Sequence, residues 1–366
     1  MALAVLAALA ALLVWYCVVT LRAKGLATGF DYLWQEAGFG IGQSMLDFSP
    51  SDTFLKAFLV ALLNTLLICV VAIPAATIIG FAVGLIRLSS HWLPRWIARS
   101  YVELFRNTPQ LLQIIFWYSV ARHFPGPRQA IEPLPGLFLS NRGIQIPWFA
   151  ATVPWTTLLI TLLAAVILVA LWSRHVRRKQ EENGRRMPVL IPGLVVLVGL
   201  PSLAWLMLGR PQMISISALQ GFNFQGGLTL SPEFLALFLG LSLYIGAFIS
   251  EIVRGALEGL DKGQAEAARS LGLPTGLVYR LVLIPQAVRV MLPPLSAQYI
   301  SLIKNSSLAV AIGYPDIVNI SKTTINQTGK VVEAIVLMSV VYLVISLAIA
   351  AAMQAYEHAL QRKVSR

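Results

Sequence analysis

Charge is what this sequence has least of: Asp, Glu, Lys and Arg together make up 12% of its 366 residues, about half the share usual in soluble domains. Apolar residues reach 57% and the mean hydropathy is +0.74, which places the chain in lipid. Cysteine is nearly absent. Cys17 and Cys69 both lie inside apolar runs, where a free thiol behaves as a small buried hydrophobe, so they report nothing about redox compartment. His91, His123, His175 and His358 are scattered without metal-ligand spacing, and no metal site is expected. Catalytic signatures are missing as well, with no HExxH, no GxSxG and no histidine paired with a nucleophile. The one Gly-Lys pair, Gly329-Lys330, has Thr324 where a phosphate-cradling G-x4-G-K-[ST] loop needs its first glycine.

What the chain has in quantity is continuous apolar sequence. A hydrocarbon core about 30 Å thick takes about 20 helical residues, and runs of that order fall near 2–21, 55–86, 100–120, 153–173, 189–208, 233–253, 286–311 and 331–354. The expected fold is therefore all-α and polytopic, with about eight transmembrane helices. A closed barrel is excluded because the runs do not alternate. The second run exceeds one bilayer and contains Pro74, which implies tilt, a kink or an interfacial start. No internal repeat is visible.

The net charge of +12 raises the question of nucleic acid, but the basic residues lie in short stretches between apolar runs rather than on one basic face, so no nucleic-acid partner is expected. Topology accounts for them better. One alternating assignment gathers fifteen Lys and Arg on one side, among them Arg87, Arg95, Arg99, the six of RHVRRKQEENGRR at 174–186, and Lys262, Arg269 and Arg280. The opposite side holds eight, including Arg122, Arg128, Lys322 and Lys330. Basic residues are retained in the cytoplasm, so both termini are expected there. Arg22 and Lys24 oppose this, which makes the first helix the weakest element of the topology. That first run lacks the basic start of a signal peptide and is read as an uncleaved helix. The 174–186 run is read as a positive-inside loop, with contact to anionic lipid as the alternative.

Between the sixth and seventh runs, on the expected cytoplasmic side, lies DKGQAEAARSLGLPTGLVYRLVLIP, residues 261–285. Gln264 to Leu271 are good helix formers; Gly272 suits a left-handed position after the last turn, and Pro274 blocks continuation. A second helix is expected to restart and enter the membrane near Pro285. Ala265, Ala267 and Ala268 let another surface approach the short helix closely, with Glu266 and Arg269 one turn apart. On these residues alone, a docking helix and a plain connector remain equally open.

The order Glu266-Ala267-Ala268, three residues, Gly272, nine residues, then Val282-Leu283-Ile284-Pro285 resembles the EAA loop of ABC importer permeases, E-A-A-x3-G-x9-I-x-L-P, with Val282 and Ile284 as aliphatic departures. YIGAFISEIVRGALEGLDKGQAEAARSLG before Leu273 and LIKNSSLAVAIGYPDIV after Ser301 are similar to the polar amino acid branch of that family. ELFRNTPQLLQIIFWY at 103–118 resembles the same branch's R-G-T-P-L-L-V-Q segment, with Asn107 in place of the usual glycine. Together with LLNTLL at 62–67 and FDYLWQEAGFGIGQSM at 30–45, this looks most like a permease subunit of general L-amino-acid importers. The resemblance implies a type I importer permease bundle, with core parts at 54–120 and 232–356. Residues 1–53 would be an added helix and periplasmic loop, 121–231 an insertion with two further helices, and 357–366 a cytoplasmic tail. It further implies an inner-membrane assembly with a second, distinct permease subunit, two ATPase subunits that bind ATP and Mg, and a periplasmic amino-acid-binding protein; this chain would itself hold no cofactor. The coupling surface would comprise Gly263, Gln264, Glu266, Ala267, Ala268, Arg269, Gly272 and Pro285.

Polar residues also fall in or beside the apolar runs: Asn64, Glu103, Arg106, Asn107, Gln113, Glu251, Arg254, Arg289, Gln298, Lys304, Asn305 and Ser306. Each needs a partner or water. Glu251, Arg254 and Arg289 lie near cytoplasmic ends and can snorkel. Asn64, Arg106, Gln298, Lys304, Asn305 and Ser306 are the candidates for lining a substrate pathway, against the alternative that such residues bond helix to helix. A secondary transporter or channel for small polar solutes is the competing function; it offers no reason for a docking helix.

Overall fold

The computed structural model describes Val5, Leu12, Trp15, Tyr16, Val19 and Thr20, then residues 29–150, 153, 155–183, 190–211 and 213–362. The expected first span at 2–21, Arg22, Lys24 and the end of the basic 174–186 run lie largely outside these residues. The chain forms two compact units, one from residues 1–123 and 231–366 and the other from Phe124–Leu230.

In the first unit, α1 (Phe54–Arg87) begins at Thr53, whose hydroxyl accepts from the Lys56 amide at 3.3 Å. Its 34 residues reach about 51 Å, and Pro74 sits inside it without ending it. The segment before it is tied down rather than trailing. Tyr32 is buried edge-on to Phe54 at 5.7 Å, Glu36 bridges Thr53, and the Gly29 amide donates to Glu333 at 2.8 Å.

The central packing is α1 against α6 (Pro232–Glu258), where Gly80 and Gly84 lie one turn apart and face Gly246, Ile249, Ser250 and Val253. Small residues at this spacing let two membrane helices come close enough for backbone van der Waals contact. Arg87 then closes one end of the pair by bonding Glu251.

The apolar run at 100–120 is not one spanning helix. It is divided between α2 (Trp92–Asn107) and α3 (Gln110–Arg122), about 24 and 20 Å long at 16 and 13 residues. Pro109 drives Thr108 to extended backbone, φ −102° and ψ 137°. The carbonyls released at the break are capped by the buried Gln113, whose amide donates to the Phe105 oxygen at 2.9 Å and the Thr108 oxygen at 3.1 Å. A break inside the membrane is tolerated when a side chain satisfies it in this way.

In the second unit, α4 (Trp155–Asn183) and α5 (Leu190–Met207) follow the two added apolar runs. The same unit holds strands that the sequence reading did not anticipate: β1 (Ile131–Leu134), β2 (Leu137–Ser140), β3 (Gly143–Ile146), β4 (Trp148–Phe149), β5 (Ile214–Ser215), β6 (Ala218–Gln220), β7 (Asn223–Gln225) and β8 (Leu228–Leu230). The first three and β8 form an antiparallel sheet in the order β1-β2-β3-β8. The β1–β2 turn is Pro135-Gly136, with Gly136 at φ +80°, the geometry of a type II turn.

The remaining elements of the first unit are α7 (Lys262–Ser270), α8 (Ile284–Asn305), α9 (Ile317–Thr328) and α10 (Val331–Arg362). The chain restarts as helix at Thr275, directly after Pro274, and reaches α8 through a π-helical stretch at Val278–Leu283. Among the described residues five helices are long and apolar enough to cross a membrane, in Phe54–Arg87, Trp155–Val176, Pro232–Glu258, Thr275–Ala311 and Val331–Ala359; Ile191–Met207 is apolar but shorter.

Candidate functional site: the docking helix and the polar core

Helix α7 is fixed at both ends by its own sequence. Asp261 caps its start, accepting from the Gly263 amide at 2.9 Å. At its end the Leu273 amide donates to the Ala268 oxygen at 3.3 Å and the Gly272 amide to the Arg269 oxygen at 2.8 Å, with Gly272 at φ +78°. That is the Schellman closure, and it depends on a residue that enters the left-handed region freely. The helix spans 262–270, against the helix-forming stretch 264–271 read from the sequence, and Gly272 adopts the expected conformation.

The candidate coupling residues gather on this element. Gly263, Gln264, Glu266, Ala267 and Arg269 are exposed, whereas Ala268 is buried. Leu271 stands 81% exposed at the helix end, an apolar tip beside charged and small residues. Pro285, at the second position of α8, is exposed. Its neighbour Gln286 donates to the Gln264 side-chain oxygen at 3.2 Å, joining α7 to the start of a span.

The six pathway candidates do not converge on one cavity. Asn64 is fully buried; its amide donates to the backbone oxygens of Gln43 at 2.8 Å and Pro315 at 3.0 Å, while its own backbone oxygen accepts from Tyr314 at 3.0 Å. It clamps α1 to the loop before α9. Arg106 lies toward the other end of α1, 3.7 Å from Glu251 and over the Phe248 ring at 5.1 Å. Glu251 also meets Arg87 and Arg254, so this cluster cross-links α1, α2 and α6. Of the candidates on and just after α8, Lys304 is exposed, Gln298 and Asn305 are half-buried, and Ser306 is buried with its hydroxyl donating to the Ile303 oxygen at 2.7 Å.

Sequence reasoning missed Asp316. This carboxylate caps α9 by accepting from the Asn319 amide at 2.8 Å, with the Tyr342 hydroxyl 3.4 Å away. Its signal was present in the Asp that precedes the apolar Ile317-Val318 pair. Burial pushes its pKa up to about 7; Cys69 of α1, Tyr314 and Tyr342 of α10 surround it, and none supplies a positive charge. Because an unfolded Asp titrates near 3.9, the unfolded chain releases this proton first as pH rises. Stability from this group is complete below about pH 4 and is lost up to about pH 7. Asp316→Asn keeps a capping oxygen and removes the charge. Detergent-solubilised protein should therefore melt lower at pH 8 than at pH 5, and the variant should show a smaller drop; equal drops would contradict the burial of this carboxyl.

Comparison with known proteins adds the following. Residues 181–366 match the family of binding-protein-dependent transport system inner membrane components. The chain is 45% identical over 341 residues to YhdX of Escherichia coli (strain K12), provisionally described as an amino-acid ABC transporter permease, covering 93% of this chain and 87% of that one. It is 42% identical to the general L-amino acid transport system permease protein AapQ of Rhizobium johnstonii, over 90% of this chain and 82% of the relative. In fold it is similar to a chain in the crystal structure of an amino acid ABC transporter with histidines, with TM-score 0.50 and 19% identity over 83% of this chain and 94% of the other.

Proposed function

The chain belongs to the family of binding-protein-dependent transport system inner membrane components, and from that membership we propose that it carries amino acids inward, driven by a separate ATPase acting on α7. The family's permeases are non-catalytic membrane subunits, and the absence of a phosphate-cradling loop agrees with that role. The observation that carries the proposal is α7 itself. A nine-residue helix, held by a side-chain cap and a Schellman closure, presents small and charged side chains outward from the end of a span. Such a helix can be displaced as a rigid body.

Force applied to α7 has two routes into the membrane. One runs back through Gly259 into α6 and its glycine seam with α1. The other runs through the Gln264–Gln286 contact into α8. The partners in this reading are two ATPase subunits holding ATP and Mg, a second and distinct permease, and a periplasmic amino-acid-binding protein, as the resemblance to ABC importer permeases implies. The chain would lie in the bacterial inner membrane with α7 and both termini in the cytoplasm. In this reading the six polar candidates contribute unequally: Gln298, Lys304 and Asn305, which keep some exposure, would meet solute, while Asn64 and Arg106 hold helices together and Ser306 bonds the turn before it.

Purified from its native membrane in mild detergent, the chain should bring an ATPase and a second permease with it, and the complex should hydrolyse ATP. Recovery as a homo-oligomer that moves amino acids without nucleotide would overturn the proposal.

A further inference from the structure

At the end of α6 opposite α7 lies a cavity of about 380 Å³, lined by Gln43, Ser231, Glu233, Asn319 and Thr323 together with the backbone around Gly313. That volume is within the range of small-molecule sites. The 27 residues of α6 separate the cavity from α7 by about 40 Å, so the two sit at opposite faces of the membrane. Its lining differs from that of the grooves along α4 and α5, which are almost wholly apolar, such as the one formed by Ile191, Leu194, Val195, Val198 and Gly199.

Among the described residues lining the cavity, Glu233 is the only charged one. One of its oxygens accepts from the Tyr118 hydroxyl at 3.2 Å, and a carboxylate has capacity for further donors beyond that one. The other polar groups have a definite arrangement. The Gln43 side-chain oxygen accepts from the Ser231 hydroxyl at 2.6 Å, which leaves the Gln43 amide hydrogens as that side chain's remaining capacity. Ser231 is itself held, its oxygen accepting from the Phe234 amide at 3.1 Å as the cap of α6. The wall behind is rigid, since Asn64 bonds the backbones of both Gln43 and Pro315. The Ser231 and Thr323 hydroxyls already donate, to the Gln43 side-chain oxygen and to the Asn319 backbone oxygen at 3.1 Å, so the cavity offers one carboxylate to a cation and the side-chain amides of Gln43 and Asn319 to a carboxylate.

We propose that this cavity is an outer-face site for a free α-amino acid, its ammonium group paired with Glu233 and its carboxylate held by the side-chain amides of Gln43 and Asn319, with Thr323 lining the wall beside them. The proposal rests on the amino-acid reading above and names a station before the membrane interior. A charge-assisted bond to a carboxylate is worth enough that a ligand lacking the ammonium charge should bind at least about tenfold more weakly.

The test uses Thr323→Cys in the assembled importer, in spheroplasts free of binding protein, with an impermeant maleimide added outside. L-glutamine should slow labelling, N-acetyl-L-glutamine should not, and adding Glu233→Gln should abolish the protection while leaving the unprotected labelling rate unchanged. Absence of labelling from outside would place the cavity on the wrong face. Equal protection by both ligands, no protection at concentrations that saturate uptake, or protection surviving Glu233→Gln would each overturn the site. The comparison of the two ligands needs only Thr323→Cys, so it stands even if the Glu233 variant does not accumulate. Uptake of labelled L-glutamine by wild-type whole cells, which keep their binding protein, separates the two ideas: without ATP-dependent uptake the functional reading fails, whereas uptake without protection removes only this site.

Discussion

Replacing Gly84 with leucine should leave almost no correctly assembled protein. A Cβ built at Gly84 comes within 2.8 Å of both Cβ and Cγ1 of Val253 and 3.0 Å of the Ser250 backbone oxygen. Val253 is fully buried and β-branched, so its atoms near the backbone cannot swing aside. Gly80 is tighter, with Ile249 Cβ at 2.5 Å and the Gly246 oxygen at 3.0 Å. Leucine must therefore push α1 from α6 along the whole seam. That separation also strains the Arg87–Glu251 bond, which joins the same two helices. Overpacking of this kind costs about 1–3 kcal/mol in a core that can adjust, and backbone on the facing helix places this site at the upper end. Gly255→Leu is the control on α6, since no atom lies within 4 Å of its Cβ. Size-exclusion profiles of the two variants in detergent should differ, with the Gly84 variant aggregated and the Gly255 variant like wild type. A normal profile for Gly84→Leu would mean the helices do not meet there.

This seam shows which parts of the fold were legible in the sequence. The apolar runs of α1, α6, α8 and α10 were found because one property, continuous hydropathy, determines whether a helix can cross lipid. Their packing was not, because Gly80-x3-Gly84 reads as two small residues until the partner helix is known. The run at 100–120 failed for a related reason. Its hydropathy continues across Thr108-Pro109, and only the geometry at the proline, with Gln113 seated on the freed carbonyls, shows that two short helices replace one span.

The strands of the second unit are two to four residues long, too short to display an alternating pattern. Side-chain roles divided along the same line. Gly272 and Pro274 act on their own backbone, so local sequence was enough to assign their work. Asn64 acts on Gln43 and Pro315, the second of which is more than two hundred positions away in the chain. A buried amide of that kind looks like a pathway residue until its partners are seen. The helix cap of Asp316 was readable from Asp-Ile-Val, whereas its packing against Tyr342 was hidden in the same way as the partners of Asn64.

Gly272→Val should cut uptake by about 5–30-fold while leaving the protein's abundance unchanged. The φ of +78° at this position is strained for any L residue, yet no atom lies within 4 Å of an added Cβ. The cost is therefore conformational and local, about 1–2 kcal/mol, and higher for a β-branched side chain, whose Cβ crowds the backbone. An isolated cost of that size does not unfold the membrane bundle, whose spans pack independently of this turn. It is large for α7, because escaping it means giving up the Gly272–Arg269 and Leu273–Ala268 hydrogen bonds that end the helix. The docking-competent arrangement should fall in population by a factor of about 5–30, and Glu266, Arg269 and the exposed Leu271 should no longer meet the ATPase together. Substrate-stimulated ATP hydrolysis in proteoliposomes should fall with uptake, and the ATPase should wash from the membrane more easily. Asn, which tolerates the left-handed region, should be milder than Val. Gly276→Val provides the contrast, because that glycine has an ordinary φ and equally open surroundings, so it should transport nearly as wild type. If Gly272→Val and Gly276→Val transport alike at equal protein levels, α7 is a connector and the energy of ATP enters the permease elsewhere.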